Sequence, residues 1–287
     1  MIRTTESHLH ISALTDPGRS GKNNEDRFFV GMYQLSREDA RPAAVGIVCD
    51  GIGGHRAGEV AAELAIDHVS RGIALSGAHE PLKTLQQSIE DASHAIAAHA
   101  ASRPDERGMG STCTCAWVIE QRLYAAYVGD SRLYLLRGDR VRQLSKDHTW
   151  IQEALDRGIL DERHVQDHPN SHVIRRHLGS NQAPEIDFRL FLNGKESDSE
   201  AIRNQGLELV AGDVILICSD GLTDVVGEHE ILSTVRSQPD LKSSAEALVE
   251  LANHRGGPDN ITLVMLEVPA WVVSAKKNGG AALRARQ

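Results

Sequence analysis

Residues 44–51 read Ala-Val-Gly-Ile-Val-Cys-Asp-Gly, an apolar run that passes directly into an acidic residue and a glycine. Residues 214–221, Val-Ile-Leu-Ile-Cys-Ser-Asp-Gly, repeat this arrangement later in the chain. Short apolar runs bounded by turn residues are typical of buried β-strands. Each stretch therefore predicts a core strand that is followed by a carboxylate. The two predicted strands are Ala44–Cys49 and Val214–Cys218.

Further strands are predicted on both sides of these two, from alternating or continuous apolar runs. Turns at Glu120-Gln121 and Gly138-Asp139 are short enough to connect antiparallel neighbours, so the sheet should be mainly antiparallel. The further predicted strands are His8–Leu14, Phe28–Tyr33, Thr112–Ile119, Leu123–Val128, Leu133–Arg137, Val141–Leu144, Phe188–Leu192 and Ile261–Val268.

Three long helices are predicted between the groups of strands. One should run from Ala57 to about Ile73, and a second begins at Pro81 with apolar residues at steps of three and four. Ser243 and Glu246 fit a capping box at the start of the third, which Gly256 ends. Helices set between antiparallel strand groups predict an α+β fold.

Composition excludes several classes of protein. Forty acidic and 31 basic residues leave a net charge of −9, which argues against a nucleic-acid-binding protein. The longest apolar runs are too short to span a membrane, and residues 1–10 lack the apolar core of a signal peptide. The four cysteines lie in apolar runs and are expected to be reduced core thiols. We expect the protein to be cytoplasmic and monomeric.

Carboxylates recur at the ends of predicted strands. Asp50 and Asp220 end strands, Asp130 follows another, Asp259 precedes one, and Glu25-Asp26 precedes one more. A single such residue is usually a turn former or a helix cap. Five that converge would repel one another unless a cation neutralised them, and all-oxygen ligands suit Mg²⁺ or Mn²⁺.

Seven motifs in order resemble a known family over about residues 12–268. They are Thr15-Asp-Pro-Gly with Asn23-Asn-Glu-Asp26, Cys49-Asp-Gly-Ile-Gly-Gly-His55 with Gly58-Glu59, Gly110-Ser-Thr112, Val128-Gly-Asp-Ser-Arg132, Leu144-Ser-Lys-Asp-His-Thr149, Cys218-Ser-Asp-Gly-Leu222 and Gly257-Pro-Asp-Asn-Ile261. Together they resemble the metal-dependent type 2C (PPM) Ser/Thr protein phosphatases in their compact bacterial form.

The resemblance implies a four-layer α/β/β/α sandwich of two mainly antiparallel sheets flanked by helices. Residues 1–268 would form the catalytic domain, with a histidine-containing flap at about 147–178 beside the active site. An acidic insert at about 193–206 is expected to be an exposed loop, and residues 269–287 a flexible tail.

The resemblance also implies two tightly held Mn²⁺ or Mg²⁺ ions and the residues that hold them. Asp50 would bridge the ions and Gly51 would supply a carbonyl ligand, with Asp26, Asp220 and Asp259 as the other ligands. Asp130 matches the position for a third, looser ion, and Glu25 is a possible ligand, directly or through water. Ser219 and Asn260 would orient carboxylates.

The implied reaction is hydrolysis of phosphoserine or phosphothreonine by a hydroxide that bridges the two metals. The implied substrates are phosphorylated proteins, and the enzyme would oppose a bacterial Ser/Thr kinase and act on that kinase or its substrates. Hydrolysis of small phosphate esters is an alternative of the same class. A pseudophosphatase, a metal-binding module that only binds phosphoproteins or a partner, is an alternative of another class.

Two positions depart from the family pattern. Many relatives carry a phosphate-binding arginine where this chain has Gly21, so Arg19 or Lys22 is expected to supply the charge instead. Ile52 stands where animal relatives have a histidine that acts as general acid. His55 is a candidate for that role, and a surface or helix-capping histidine is the alternative.

Overall fold

Two antiparallel sheets pack face to face at the centre of this computed structural model, which describes residues 1–53, 57–165, 168–170 and 173–269. The strands are β1 (Ile2–Arg3), β2 (His10–Asp16), β3 (Arg27–Gln34), β4 (Pro42–Cys49), β5 (Gly51–Ile52), β6 (Gly110–Ser111), β7 (Cys113–Ile119), β8 (Arg122–Val128), β9 (Arg132–Arg137), β10 (Arg140–Gln143), β11 (Leu207–Glu208), β12 (Val214–Cys218) and β13 (Ile261–Glu267). One sheet has the order β1-β3-β4-β7-β8-β11 and the other β10-β9-β12-β13-β2, while β5 and β6 form a separate pair.

Helices cover the outer face of each sheet. The helices are α1 (Ala57–Leu75), α2 (Pro81–Ser102), α3 (Trp150–Asp156), α4 (Asp198–Arg203), α5 (Asp220–Thr223), α6 (Glu228–Ser237) and α7 (Leu241–His254). Short 3₁₀ turns occupy Pro104–Glu106 and Glu162–His164. Helices α1 and α2 pack on the six-stranded sheet, and α5 to α7 pack on the five-stranded sheet. The predicted α/β/β/α sandwich is confirmed.

Strand β4 shows why the central strands are apolar without interruption. Val45, Ile47 and Cys49 face helices α1 and α2, whereas Ala44 and Val48 face the other sheet. Successive side chains point to opposite faces, so a strand with both faces covered is apolar at every position. All four cysteines are free and buried, as expected.

One predicted strand and one predicted cap are wrong. Phe188–Leu192 is not a strand, because the side chain of Gln205 bonds the Ala125 and Phe188 carbonyls where a neighbouring strand would pair. Helix α7 is capped by Asp240, which accepts from the Ser243 amide at 2.7 Å, and not by Ser243. An earlier side chain of the preferred N-cap type starts the helix three residues sooner.

The acidic insert is only partly the exposed loop that was expected. It contains α4, which begins in a capping box of Ser197 and Glu200 and buries Ala201. The expectation for the C-terminal tail falls on residues that lie, except for Pro269, outside the described part. Within that part, no helix has the length and apolar character needed to cross a membrane.

Candidate metal centre

Carboxylates from the ends of five strands face one another at one end of the two sheets. Asp26 precedes β3, Asp50 follows β4, Asp130 follows β8, Asp220 follows β12, and Asp259 precedes β13. Burial raises the pKa of Asp50, and the charges of Asp26, Asp220 and Asp130 raise it further. Such mutual effects require the groups to be close. We refer to these five side chains as the strand-end carboxylates.

Asp26 is the most deeply buried of them, with 1% of its surface exposed. The hydroxyl of Ser219 donates to Asp26 Oδ2 at 2.7 Å, while Oδ1 has no hydrogen-bond partner among the described residues. Burial raises the pKa of Asp26 to about 7, the Ser219 and Thr262 hydroxyls oppose this, and the charges of Asp220 and Asp259 add to it. Ser219 therefore orients a carboxylate, as the sequence predicted.

The backbone at Asp50 and Gly51 is fixed by β6 and the residue that follows it. Thr112 accepts from the Asp50 amide at 2.9 Å and donates its own amide to the Asp50 carbonyl at 2.8 Å. Ser111 pairs with Gly51. A Cβ at residue 51 would collide with the Gly58 carbonyl, so only glycine lets this turn pass so close to α1.

Lys22 lies beside Asp259 at the exposed edge of the carboxylates. Its ammonium group is 2.9 Å from Asp259 Oδ2. The hydrogen bond to Asp259 is the main reason that the pKa of Lys22 is raised, and the charges of Asp259, Asp220 and Glu25 contribute. This contact between a basic residue and a predicted ligand was not foreseen in the sequence.

Arg19 points elsewhere. Its amide bonds the Gly257 carbonyl at 2.7 Å, and its side chain lines a cavity of about 440 Å³ against α7 with Glu246 and Asn253. Gly21 has a φ of +75° and open space at its Cβ position. Of the two candidates for phosphate binding, the structure therefore places Lys22, and not Arg19, at the carboxylates.

Glu25 and Asn260 join the loop before β3 to the start of β13. The Glu25 amide donates to Asn260 Oδ1 at 2.8 Å, and Asn260 Nδ2 donates to the Pro17 carbonyl at 3.0 Å. The Asn260 side chain therefore orients loop backbone. Its own amide donates to Asp259 Oδ1 at 2.9 Å, so Asn260 also orients a carboxylate, as expected. Glu59 on α1 holds the same loop, because it accepts from Asn23 and is ion-paired with Arg27.

The turn that carries Asp130 is held by His148, whose role the sequence did not reveal. His148 Nδ1 accepts from the Gly129 amide at 3.1 Å, and the His148 amide donates to the Gly129 carbonyl at 3.0 Å. Because a backbone amide can only donate, the proton is on Nε2, which lies 3.2 Å from Asp187 Oδ2. The imidazole also stacks on Tyr127 with ring centroids 5.4 Å apart.

The donor set of this centre suits a hard divalent cation. Asp26 Oδ1 and Asp130 Oδ1 are both buried and lack partners among the described residues. Burial, and after it the charges of neighbouring carboxyl groups, raises the pKa of both residues. Asp50 and Asp220 share a hydrogen bond, and Lys22 takes an oxygen of Asp259. In these side-chain positions, no three His, Cys, Asp or Glu residues of the described ranges already surround one point. Cations would replace the contacts that now offset the repulsion.

The histidines of the predicted sites remain: His55, and the four of the predicted flap, His164, His168, His172 and His177. His55 lies outside the described residues, as does His172 of the flap. His164 is exposed near Asp161, and His168 stacks on Trp150 at a centroid distance of 4.8 Å. His177 Nδ1 lies 2.9 Å from the Leu178 carbonyl. The three described histidines do not converge on one point.

Comparison with known proteins identifies the family to which this chain belongs. A family model described as protein phosphatase 2C matches residues 17–154. The serine/threonine phosphatase Stp of Listeria innocua is 34% identical over 263 residues, covering 90% of this chain and 96% of the relative.

Solved structures agree with that match. The crystal structure of the Mycobacterium tuberculosis serine/threonine phosphatase PstP/Ppp has a TM-score of 0.75 at 34% identity and covers 91% of this chain and 99% of that one. A structure of the PstP catalytic domain in complex with two manganese ions has a TM-score of 0.72 at 33% identity and covers 90% and 97%. The chain therefore belongs to the protein phosphatase 2C family of metal-dependent serine/threonine phosphatases.

Proposed function

We propose that this protein hydrolyses phosphoserine and phosphothreonine in phosphorylated proteins and uses two tightly bound Mn²⁺ or Mg²⁺ ions to do so. The observation that carries the proposal is the group of strand-end carboxylates, two of which keep a buried oxygen without a partner among the described residues. Relatives named serine/threonine phosphatases, and the manganese complex of PstP, support the reaction and the metal.

Asp50 would contact both ions, Gly51 would supply a backbone carbonyl to the first, and Asp26, Asp220 and Asp259 would complete the set. Asp130 would hold a third, looser ion, and Glu25 would contribute directly or through water. Bound divalent ions lower the pKa of a water that they share and offset charge on the phosphoryl oxygens. The chain's own contribution is position: Ser219 fixes Asp26, Thr112 fixes the backbone of Asp50, and His148 fixes the turn at Asp130.

The biological setting proposed is a bacterial-type signalling pathway in the cytoplasm. The enzyme would act as a monomer and reverse the action of a Ser/Thr kinase, on the kinase itself or on the proteins that it phosphorylates. The names of the relatives support the residue class, serine and threonine. A net charge of −9 favours protein substrates over nucleic acid.

A phosphothreonine peptide separates the proposed enzyme from its two alternatives. Protein stripped with chelator should release no phosphate, and Mn²⁺ should restore release more fully than Mg²⁺. We expect kcat/KM for the peptide to exceed that for p-nitrophenyl phosphate by about tenfold or more, because the flanking residues contribute binding energy. Hydrolysis of the small ester alone would indicate a small-molecule phosphatase. Binding of the peptide without any turnover would indicate a pseudophosphatase.

Lys22 is proposed to bind the substrate phosphate after it leaves Asp259. Replacing it in a Lys22→Met variant should raise KM for the peptide by about tenfold, because a charge-assisted hydrogen bond contributes about 1.5–3 kcal/mol. Its kcat should change little. Arg19→Met is the control, because Arg19 lies against α7. A larger rise of KM in the Arg19 variant than in the Lys22 variant would reverse this assignment.

Restoring the arginine of the family pattern is not expected to help. Residue 21 has a φ of +75°, and a side chain in the left-handed region costs about 1–2 kcal/mol. A Gly21→Arg variant would therefore be strained at this position.

A further inference from the structure

A cleft with several basic side chains lies outside the metal centre, between α3 and residues 175–185. It encloses about 640 Å³, and its lining includes Arg157, Arg175, Arg176 and His177. Glu153 and Glu185 are its acidic residues. With three arginines against two glutamates, the cleft carries positive charge in a chain whose net charge is −9. Such a local excess attracts anions.

The two glutamates hold the arginines of the cleft only weakly, so a stronger ligand can replace them. Arg175 Nε is 3.4 Å from Glu153 Oε2, and an Arg176 nitrogen is 3.1 Å from Glu185 Oε2. The Glu185 side chain is 75% exposed, and exposed ion pairs of this kind are weak. Arg157 has no ion pair with any residue of the described ranges. A phosphate dianion, with a higher charge and a geometry that matches the guanidinium group, would displace these carboxylates.

The backbone fixes how far this cleft is from the metal centre. Leu178, next to His177, pairs with Ser111 through two backbone hydrogen bonds of 3.3 and 2.8 Å. Ser111 in turn pairs with Gly51. Neighbouring strands are about 4.8 Å apart, so Leu178 lies about 10 Å from Gly51. An extended peptide advances about 3.3 Å per residue and would cover this distance in about three residues, or up to five to reach the arginines.

We propose that this cleft binds the phosphate of a second phosphorylated residue in the substrate, three to five residues from the one that is hydrolysed. The inference rests on the proposed function and narrows its substrates to segments that are phosphorylated more than once. The arginines would contribute to binding, while the strand-end carboxylates and their ions act on the other phosphate.

Peptides with two phosphates test the distance. Each peptide would carry one phosphothreonine and one phosphonate that cannot be hydrolysed. From one peptide to the next, the phosphonate would move by one residue, on either side of the phosphothreonine. We expect KM to be about tenfold lower when the phosphonate is three to five residues away, with kcat unchanged, since only ground-state binding is added. Glutamate at the same position should give a clearly smaller gain. Equal gains at all distances, or an equal gain from glutamate, would overturn the proposal.

Variants test the residues. Arg157→Gln combined with Arg176→Gln should abolish the gain and leave KM for the singly phosphorylated peptide unchanged. Arg71→Gln, an exposed arginine of α1, is the matched control and should keep the gain. A gain that survives in the double variant would exclude the cleft. If the singly phosphorylated peptide is not hydrolysed at all, the proposed function fails; if it is hydrolysed but no position gives a gain, only the cleft proposal fails.

Discussion

Asp50→Asn should lose nearly all activity and yet fold into a more stable metal-free protein. Burial and three neighbouring carboxylates raise the pKa of Asp50, so its charged form is unfavourable without a cation. Asparagine keeps the shape and removes that charge. It also removes the charge proposed to bridge two ions. We expect kcat/KM to fall about a thousandfold or more, equivalent to about 4 kcal/mol of transition-state stabilisation.

Three measurements on the purified variant test this prediction. Isothermal titration with Mn²⁺ should show loss of both tight ions, thermal unfolding in chelator should show a higher Tm than the wild type, and phosphopeptide kinetics should show the loss of turnover. Asp67→Asn, at an exposed position on α1, is the matched control and should behave as the wild type. An Asp50→Asn variant that keeps Mn²⁺ binding and turnover would contradict the assignment of Asp50 to the centre.

The same substitution at Asp130 separates the third ion from the other two. If Asp130 holds only a looser ion, Asp130→Asn should retain two tight Mn²⁺ ions and lose turnover on the phosphopeptide. Unchanged kinetics at every Mn²⁺ concentration would make Asp130 a turn residue that His148 holds for structural reasons.

Local pattern was sufficient to predict the carboxylates because each of them lies at the end of a strand with an unmistakable apolar run. Asp50 and Asp220 follow β4 and β12, whose side chains are buried on both faces. The role of Ser219 beside them was implied by the family resemblance. Lys22 and His148 were not assigned their contacts, because these depend on which distant segments meet. Lys22 is paired with a residue 237 positions away, which no local spacing reveals.

The errors in the fold have the same origin. Phe188–Leu192 has a strand-like composition, but the partner position along β8 is taken by the side chain of Gln205. Residues 193–206 are polar enough to indicate a loop, yet the box formed by Ser197 and Glu200 starts a short helix there. In both places a side-chain hydrogen bond outweighed the propensity of the segment, and such bonds are fixed by tertiary structure.

Protons and metal ions should compete at Asp26, and this competition predicts opposite effects of pH on the two forms of the protein. Burial raises the pKa of Asp26 to about 7, whereas an aspartate in the unfolded chain titrates near 3.9. Between these values the metal-free native state holds a proton that the unfolded chain has lost. Its stability should therefore fall as pH rises from about 4 to about 7, by about 4 kcal/mol in all.

With Mn²⁺ bound, stability should instead rise with pH, because Asp26 must lose that proton before it binds the ion. One displaced proton weakens the apparent affinity about tenfold for each pH unit below 7, so binding at pH 5 should be about a hundredfold weaker than at pH 7. Asp50 and Asp130, whose pKa values are raised as well, steepen this dependence. Burial lowers the pKa of His8, so its contribution to stability rises with pH, opposite to that of Asp26. The comparison must therefore isolate Asp26.

Asp26→Asn supplies that comparison, since it removes one titrating group and leaves His8 in place. In thermal unfolding in chelator across this pH range, the Tm of the wild type should fall relative to that of the variant as pH rises. Titration with Mn²⁺ should give a wild-type affinity that rises with pH. If the Tm of the two proteins in chelator changed with pH in parallel, Asp26 would be ionised in the metal-free state. The repulsion among the strand-end carboxylates would then need another source of compensation. The Lys22 ammonium is the nearest candidate for it.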